Sequence, residues 1–190
     1  MRVLKIIFLF LPFYSIAQTD SITGSSGLEK MTMQAGSFVN ITTDTLGSTN
    51  DLHVGILTAT DLNSGKKQRS VCFIAANGFN SIGFSATNVQ IDIEDLYSFT
   101  NALEKMKEIA DSKIPAPFQQ YQFVSSNLTV LKMENRLNKS GKWDLIIYKR
   151  FKKLNNEVPG SLLLIKEKNI GDLVVLLKRY KTLLGDALYK

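Results

Sequence analysis

The chain has few of the side chains from which catalytic and metal sites are built. Its 190 residues include one cysteine, one histidine, one tryptophan and four prolines. A single cysteine excludes an internal disulfide. A tetrahedral zinc site needs three or four ligands, most often cysteine and histidine with an occasional carboxylate. With one cysteine and one histidine, such a site cannot be built here in the conventional way. Cys72 lies in the apolar run from Val71 to Ala75, which predicts a buried, unreactive thiol.

The sequence also lacks the short motifs of common catalytic folds. It contains no Gly-x-Ser-x-Gly turn, no phosphate-binding glycine loop and no Asp-x-Asp-x-Asp-Gly calcium loop. No serine or cysteine lies at a spacing from His53 that would mark it as the nucleophile of a catalytic pair. The pair Glu94 and Asp95 suits a helix start, and the pair Glu104 and Glu108 suits a solvated helix surface. We therefore predict no catalytic residue, no metal and no cofactor.

The first residues follow the order of a secretory signal. Arg2 and Lys5 precede the apolar run from Ile6 to Tyr14, and Ser15-Ile16-Ala17 places small residues where signal peptidase reads them. As a helix that run covers about 14 Å, less than the roughly 30 Å of a membrane's hydrocarbon core. We expect a signal peptide over 1–17, cleaved after Ala17, rather than an uncleaved anchor. The product would be periplasmic or secreted, with no transmembrane segment.

A polar, glycine-rich stretch over 18–27 predicts a flexible leader, and a β-rich segment follows it. We predict four strands in this first half: Met31–Thr42, Leu52–Thr60, Lys67–Ala76 and Thr87–Ile91. Asn63-Ser64-Gly65 predicts a hairpin turn, and Asn77-Gly78 with Gly83 predicts another reversal. A helix comes next, with an apolar stripe at Leu96, Phe99, Leu103, Met106 and Ala110. Asp92 is a suitable N-cap, and Pro115-Ala116-Pro117 ends the helix.

The second half repeats this order of elements. We predict strands at Tyr121–Val124, Leu128–Met133, Trp143–Phe151 and Leu162–Ile165. Lys139-Ser140-Gly141 predicts a turn, and the polar and proline-containing run from Asn155 to Gly160 predicts a loop. Asn169 would cap a final helix, whose apolar stripe is Leu173, Leu176, Leu177, Tyr180 and Leu184.

The two halves share three short matches at nearly one displacement. Leu52-His53-Val54 matches Leu128-Thr129-Val130 and Ser64-Gly65-Lys66 matches Ser140-Gly141-Lys142, each 76 positions later, and Ile93-Glu94-Asp95-Leu96 matches Ile170-Gly171-Asp172-Leu173, 77 positions later. Such a repeat favours duplication, although two units that independently need a turn, a cap and a stripe would also produce it. Each helix must bury its stripe on a sheet. We therefore predict an α+β fold of two tandem ββββα units, 28–113 and 114–190, with antiparallel sheets and one helix per unit packed into a shared core.

Two resemblances follow from this order of elements. Over residues 28–187 the order resembles the duplicated ββββα folds of the PUR and Whirly type, and that resemblance implies binding of single-stranded nucleic acid on curved sheets. The chain is also similar to small, uncharacterised exported proteins of Gram-negative bacteria, which share the Asp-Leu helix start and a terminal strand followed by a helix. This second resemblance implies no activity.

Charge is divided unevenly between the halves. Residues 18–113 contain 7 Lys and Arg against 11 Asp and Glu, whereas residues 114–190 contain 14 against 6. The densest basic cluster, with aromatic residues interleaved, is Tyr148, Lys149, Arg150, Phe151, Lys152 and Lys153. It predicts a contact for an anionic envelope component, a glycan, a lipid headgroup or an acidic protein. A strand end that runs into a solvated loop is the alternative. Nucleic acid as the partner conflicts with export, and extracellular DNA is the one nucleic acid left as an alternative.

Function is therefore predicted from charge and from the lack of catalytic motifs. The main hypothesis is an exported, non-enzymatic binding protein whose basic C-terminal half contacts an anionic partner. The alternatives are a periplasmic carrier of an apolar or lipid ligand and a hydrolase that uses His53 or a carboxylate pair. Asp20-Ser21-Ile22 and Asp44-Thr45-Leu46 resemble a bacterial O-glycosylation acceptor, which implies modification of Ser21 and Thr45 in loop-like segments.

Overall fold

The computed structural model describes residues 25–75, 88–112, 119–135, 142–153 and 156–188, with the backbone alone at 151–153, 156–161 and 181–188. In chain order the elements are α1 (Gly27–Met33), β1 (Val39–Ser48), β2 (Leu52–Asp61), β3 (Lys67–Ala75), β4 (Asn88–Asp92), α2 (Leu96–Ser112), β5 (Gln120–Val124), β6 (Thr129–Glu134), β7 (Asp144–Lys153), β8 (Asn156–Lys166) and α3 (Ile170–Leu188). Short 3-10 turns, Ile93–Asp95 and Glu167–Asn169, lead into α2 and α3. The predictions at Asn77-Gly78, Gly83, Pro115-Ala116-Pro117 and Lys139-Ser140-Gly141 fall outside the described residues.

Two four-stranded antiparallel sheets form the fold, which confirms the α+β class. The first sheet has the order β1-β2-β3-β4 and the second has the order β5-β6-β7-β8, so strands that follow one another in the chain are neighbours. Gly65 adopts φ +72°, in the left-handed region that favours glycine, as it closes the turn between β2 and β3. The hairpin predicted at Asn63-Ser64-Gly65 is therefore confirmed.

The predicted strand at Met31–Thr42 is wrong in its first part, because residues 27–33 form α1. Ser26 begins this helix with a capping box: its hydroxyl accepts the Glu29 N–H at 3.0 Å, and the Glu29 carboxylate accepts the Ser26 N–H at 2.8 Å. Leu28 and Met31 are buried against Ala59, on the face of the first sheet opposite the main core. Ser25 and Ser26, placed in the leader from sequence, are buried as well.

The predicted loop from Asn155 to Gly160 is also wrong, since β8 already begins at Asn156. Pro159 lies opposite Arg150, beside the point where the pairing of β7 and β8 shifts register. A proline donates no backbone hydrogen bond, and it is tolerated in a sheet at such an irregularity.

Both long helices bury the same positions counted from their first residue. In α2 the buried side chains are Leu96, Phe99, Thr100, Leu103 and Met106; in α3 they are Ile170, Leu173, Val174, Leu177 and Tyr180. The predicted stripes are thus confirmed at their centres. Ile93 lies in the 3-10 turn before α2, whereas Ile170 is the first residue of α3. By sequence, Ile93 corresponds to Ile170. By burial, the residue that corresponds to Ile170 is Leu96, about one helical turn after Ile93.

One hydrophobic core contains buried residues of both sheets and of both long helices. The ring centroid of Phe99 in α2 lies 5.5 Å from that of Phe73 in β3 and 6.0 Å from that of Phe123 in β5. Gly47 in β1 lacks a side chain where Leu176 of α3 packs, since a Cβ there would lie 2.7 Å from the leucine Cδ2. Each helix therefore contacts the sheet of the other half.

Polar contacts between the halves are reciprocal. Asp95, at the end of the first 3-10 turn, accepts hydrogen bonds from the N–H (2.8 Å) and hydroxyl of Ser126, in the turn between β5 and β6. Asn169, at the end of the second 3-10 turn, contacts Asn50 and Asp51 in the turn between β1 and β2. Asp51 also accepts the Lys166 N–H at 2.9 Å. Each hairpin turn is thereby fixed to the strand–helix junction of the other half.

Candidate anion-contact surface

The predicted basic cluster lies along the C-terminal part of β7, and one of its members points inward. Lys149 is 7% exposed, and its ammonium group forms a salt bridge with Glu29 of α1. Tyr148 and Arg150 are partly buried. The backbone of Phe151, Lys152 and Lys153 continues β7, but their side chains lie outside the described part of the chain. Lys149 is therefore committed to an internal contact.

The pleat of β7 accounts for the direction of Lys149. Leu145 and Ile147 point into the core, and alternation along a strand places Lys149 on the same face. Lys149 keeps regular pairing with Thr129 of β6, and the register shift toward β8 places the extra residue on β8, where residues 160–161 stand opposite Lys149. At this edge of the core the lysine meets Glu29, which satisfies a charge that would otherwise be buried alone.

A depression of about 420 Å³ lies at the other end of the same sheet, where β7 begins and β8 ends. Its lining residues are Lys142, Trp143, Asp144, Lys166, Glu167 and Lys168. The Trp143 N–H donates to Glu167 Oε2 at 2.9 Å, which ties the start of β7 to the 3-10 turn after β8. Asp144 and Lys166 are cross-strand partners in β7 and β8. Two strands and a turn thus hold the lining in place.

The electrostatics of the depression favour an anion. Lys142, Lys166 and Lys168 are exposed, and none of them forms a salt bridge with another described residue. Glu167 is already engaged by the Trp143 N–H, which leaves Asp144 as the other carboxylate of the lining. Three ammonium groups on flexible stems can converge on a phosphate, sulfate or carboxylate. Sequence reasoning missed this depression because its lysines lie apart in the chain.

His53 and Cys72, the other candidates from the sequence, both lie in the first sheet. His53 lies in β2 between Ser48 of β1 and Ile74 of β3. Cys72 is buried, and loss of solvation raises the pKa of its thiol to about 11, so the predicted unreactive thiol has the expected environment. Within the part of the chain that the structure describes, no three His, Cys, Asp or Glu side chains gather closely enough to hold a metal.

The two glycosylation candidates differ in what can be said of them. Thr45 is exposed, but it lies within β1 opposite Gly55 of β2, so the loop-like setting expected from sequence is wrong. Ser21 lies outside the described residues. Modification at either residue stays a prediction.

Among the described residues, no helix combines the length and apolar character needed to cross a bilayer. No protein-family model matches the chain, and no curated protein matches it.

Proposed function

We propose that the protein is an exported, non-enzymatic binding protein whose C-terminal half contacts an anionic partner. The observation that carries this proposal is the depression lined by Lys142, Lys166 and Lys168. Arg150, Lys152 and Lys153 of β7 add to the basic charge of the same half, whereas Lys149 is excluded from the contact by its salt bridge with Glu29. The partner is a phosphate- or carboxylate-bearing component of the cell envelope.

Charge supports this assignment on two scales. The half that contains the depression carries 14 Lys and Arg against 6 Asp and Glu, so its field attracts anions from a distance. Close to the surface, Lys142, Lys166 and Lys168 form no salt bridge with a described carboxylate. Long-range attraction and a shaped contact therefore favour the same kind of ligand.

Charge reversal in the depression tests the proposal. The variant Lys142→Glu/Lys166→Glu/Lys168→Glu should elute from phosphocellulose at about half the salt concentration that releases the wild-type protein, or less, because ionic contacts weaken as salt rises. The variant Arg150→Glu/Lys152→Glu/Lys153→Glu shows whether the β7 cluster shares the contact. Binding to an isolated envelope fraction at low salt should fall in parallel.

A variant of equal charge change controls for net charge. Lys105→Glu/Lys178→Glu/Arg179→Glu makes the same alteration on α2 and α3, at three exposed basic residues, and it should retain most of the affinity for phosphocellulose. Equal loss in this control would show that net charge alone governs retention and would contradict a localised site. Unchanged retention of both test variants would end the proposal.

We also propose that the two halves are copies of one duplicated ββββα unit. The identical strand order, the matching buried positions of α2 and α3, and the reciprocal contacts of Asp95 and Asn169 support it. Among the described residues, the short helix α1 stands before the strands of the first half and has no counterpart in the second, so it would be an addition made after duplication. Export through a signal over 1–17 belongs to the proposal too, and N-terminal sequencing of the secreted protein would test it.

A further inference from the structure

An exposed apolar tip lies at the end of the first sheet, far along the chain from the depression. Met33, Phe38 and Leu62 are 66%, 66% and 53% exposed, and they are among the most exposed large apolar side chains of the first half in the described residues. Met33 ends α1, Phe38 lies in the segment between α1 and β1, and Leu62 lies in the turn between β2 and β3. Large apolar side chains exposed together commonly mark a contact surface.

Hydrogen bonds join the two segments into one platform. The Leu62 N–H donates to the Phe38 carbonyl at 2.8 Å, and the Asn63 side-chain amide donates to the Gly36 carbonyl at 3.2 Å. The hydroxyl of Ser37 returns to the Met31 carbonyl at 3.1 Å. These bonds hold Phe38 and Leu62 side by side, so the apolar tip is a built feature of the fold.

The platform protrudes. A Cβ placed on Gly36 or on Gly65 would meet no atom within 4 Å, so both turns face open space. The apolar side chains therefore lie on a projection and not on the walls of a groove. A projection of this kind suits insertion into a membrane interface better than enclosure of a small ligand.

Lysines surround the tip. Lys66 and Lys67 follow the turn, and Lys30 lies one turn before Met33 on α1. All three are exposed and form no salt bridge with another described residue. The acidic side chain of the turn, Asp61, is held by the Ser64 hydroxyl (2.6 Å) and the Asn63 N–H (3.0 Å). A basic tip thus stands on a half of the chain that is acidic overall.

We propose that this tip docks the protein on an anionic phospholipid surface, with Met33, Phe38 and Leu62 inserted among the headgroups and Lys30, Lys66 and Lys67 on the lipid phosphates. Apolar burial and attraction to anionic lipid reinforce each other in such contacts. A second copy of the chain fits the tip less well, because two copies would bring their lysines together. The proposal is independent of the anion-contact surface of the C-terminal half.

Vesicle cosedimentation tests the docking. The secreted protein, its N-terminal residue determined by mass spectrometry, should bind phosphatidylcholine vesicles that contain about 30% phosphatidylglycerol at about 0.1 M salt, and pure phosphatidylcholine vesicles at least about tenfold less. Met33→Ser/Phe38→Ser/Leu62→Ser should lower binding at least about tenfold, and Lys66→Glu/Lys67→Glu similarly. All five side chains are exposed, so urea midpoints should stay at the wild-type value.

Matched controls place the contact. Leu164→Ser/Val175→Ser removes two apolar side chains, 51% and 65% exposed, elsewhere on the surface, and it should bind vesicles as the wild-type protein does. Lys105→Glu/Arg179→Glu reverses two exposed charges on α2 and α3 and should also leave vesicle binding unchanged. Loss in either control with none in the tip variants would overturn the proposal, as would a wild-type protein that ignores anionic vesicles.

A reporter at the tip gives a second measurement. Trp143 is buried, so the emission of a Phe38→Trp variant that changes on addition of vesicles comes from the new side chain. We expect a blue shift with anionic vesicles and none with neutral ones. If light scattering instead shows a dimer that the tip variants dissociate, with no vesicle binding, the tip is an interface between copies and the lipid proposal is wrong.

Discussion

At the scale of single residues, the environment of Lys149 differs most from what its neighbours in sequence indicate. The five other residues of its cluster are all basic or aromatic, yet Lys149 is nearly enclosed and paired with Glu29. The alternation of Leu145, Ile147 and Lys149 along β7 is visible in the sequence. Its acidic partner is not, because Glu29 lies 120 positions away. The candidate surface could therefore be assigned to a half of the chain but not to individual side chains.

The Glu29–Lys149 pair should be asymmetric on mutation. Glu29→Gln leaves an ammonium group whose side chain is 9% exposed without its counter-charge, and we expect a loss of about 3 kcal/mol in the free energy of unfolding. Lys149→Met leaves a carboxylate on a side chain that is 29% exposed and reaches water, so about 1 kcal/mol is expected. Urea denaturation measures both. Equal losses in the two variants would contradict the prediction that the more buried charge is the more costly one to leave unpaired.

Asp92 should give the protein a distinct dependence on pH. Burial raises the pKa of this carboxyl above its ordinary 3.8, against the opposing hydrogen bond from the Gly27 N–H, and the nearby Glu94 charge raises it further. The folded protein therefore binds the proton more tightly than the unfolded chain does. This contribution to the free energy of unfolding is present at acid pH, and it is lost as pH rises from 3.8 through the raised pKa.

The variant Asp92→Asn isolates that contribution. Asparagine does not titrate, so the free energy of unfolding of the variant, minus that of the wild-type protein, should increase with pH over the same window. Urea midpoints measured from about pH 3.5 to pH 7 provide the comparison. A difference that stays constant across the window would show that Asp92 titrates alike in the folded and unfolded chains.

At the scale of elements, the sequence predicts the repeated strands and long helices well because their signals are local. Alternation and the Asn63-Ser64-Gly65 turn define β2 and β3, and helical spacing defines α2. The helix α1 was missed, although Ser26 and Glu29 stand at the spacing of a capping box. Seven residues are too few for a clear apolar period. Its stability comes from packing on Ala59, which only the fold brings near.

Removing the contacts that hold each hairpin turn to the other half should lower the free energy of unfolding, and the loss should be larger where the remaining partner is more buried. Asp51→Ala removes acceptors from the Lys166 N–H and from Asn169, which is 2% exposed, and we expect a loss of about 2 kcal/mol. Asp95→Ala leaves Ser126, which is exposed and can bond to water, so about 1 kcal/mol is expected. Thermal or urea unfolding compares them.

A carboxylate in a purely local contact serves as the reference. Asp111→Ala removes an exposed salt bridge with Lys107 within α2 and should cost about 0.4 kcal/mol. The reverse order of Asp51 and Asp95, or losses at both as small as that at Asp111, would remove the argument that these turns fasten the halves together.

At the scale of the whole molecule, one core joins both sheets and both long helices. The two halves should therefore unfold together and not one after the other. The repeat of element order predicts two units from sequence, whereas the sharing of the core depends on contacts such as Phe99 with Phe123 and Leu176 with Gly47. No local pattern contains those contacts.

Each half carries one natural probe of its unfolding. Trp143 is the only tryptophan and lies in the second half; Cys72 is the only cysteine and lies in the first. Both are buried. Tryptophan fluorescence and pulsed thiol labelling at about pH 8, where a folded thiol with a raised pKa stays protonated, should give the same urea midpoint. Separate midpoints would mean two cores.

Burial of Ser25 and Ser26 has a practical consequence for anyone who handles the protein. Ser25 and Ser26 form a closed seam with the sheet, where the Gly27 N–H meets the Asp92 carboxylate. An affinity tag or fluorescent fusion joined directly before Ser25 would crowd this seam, pull α1 from the sheet and unpair Lys149. A fusion partner at the N-terminus therefore needs a hydrophilic spacer that ends well upstream of Ser25.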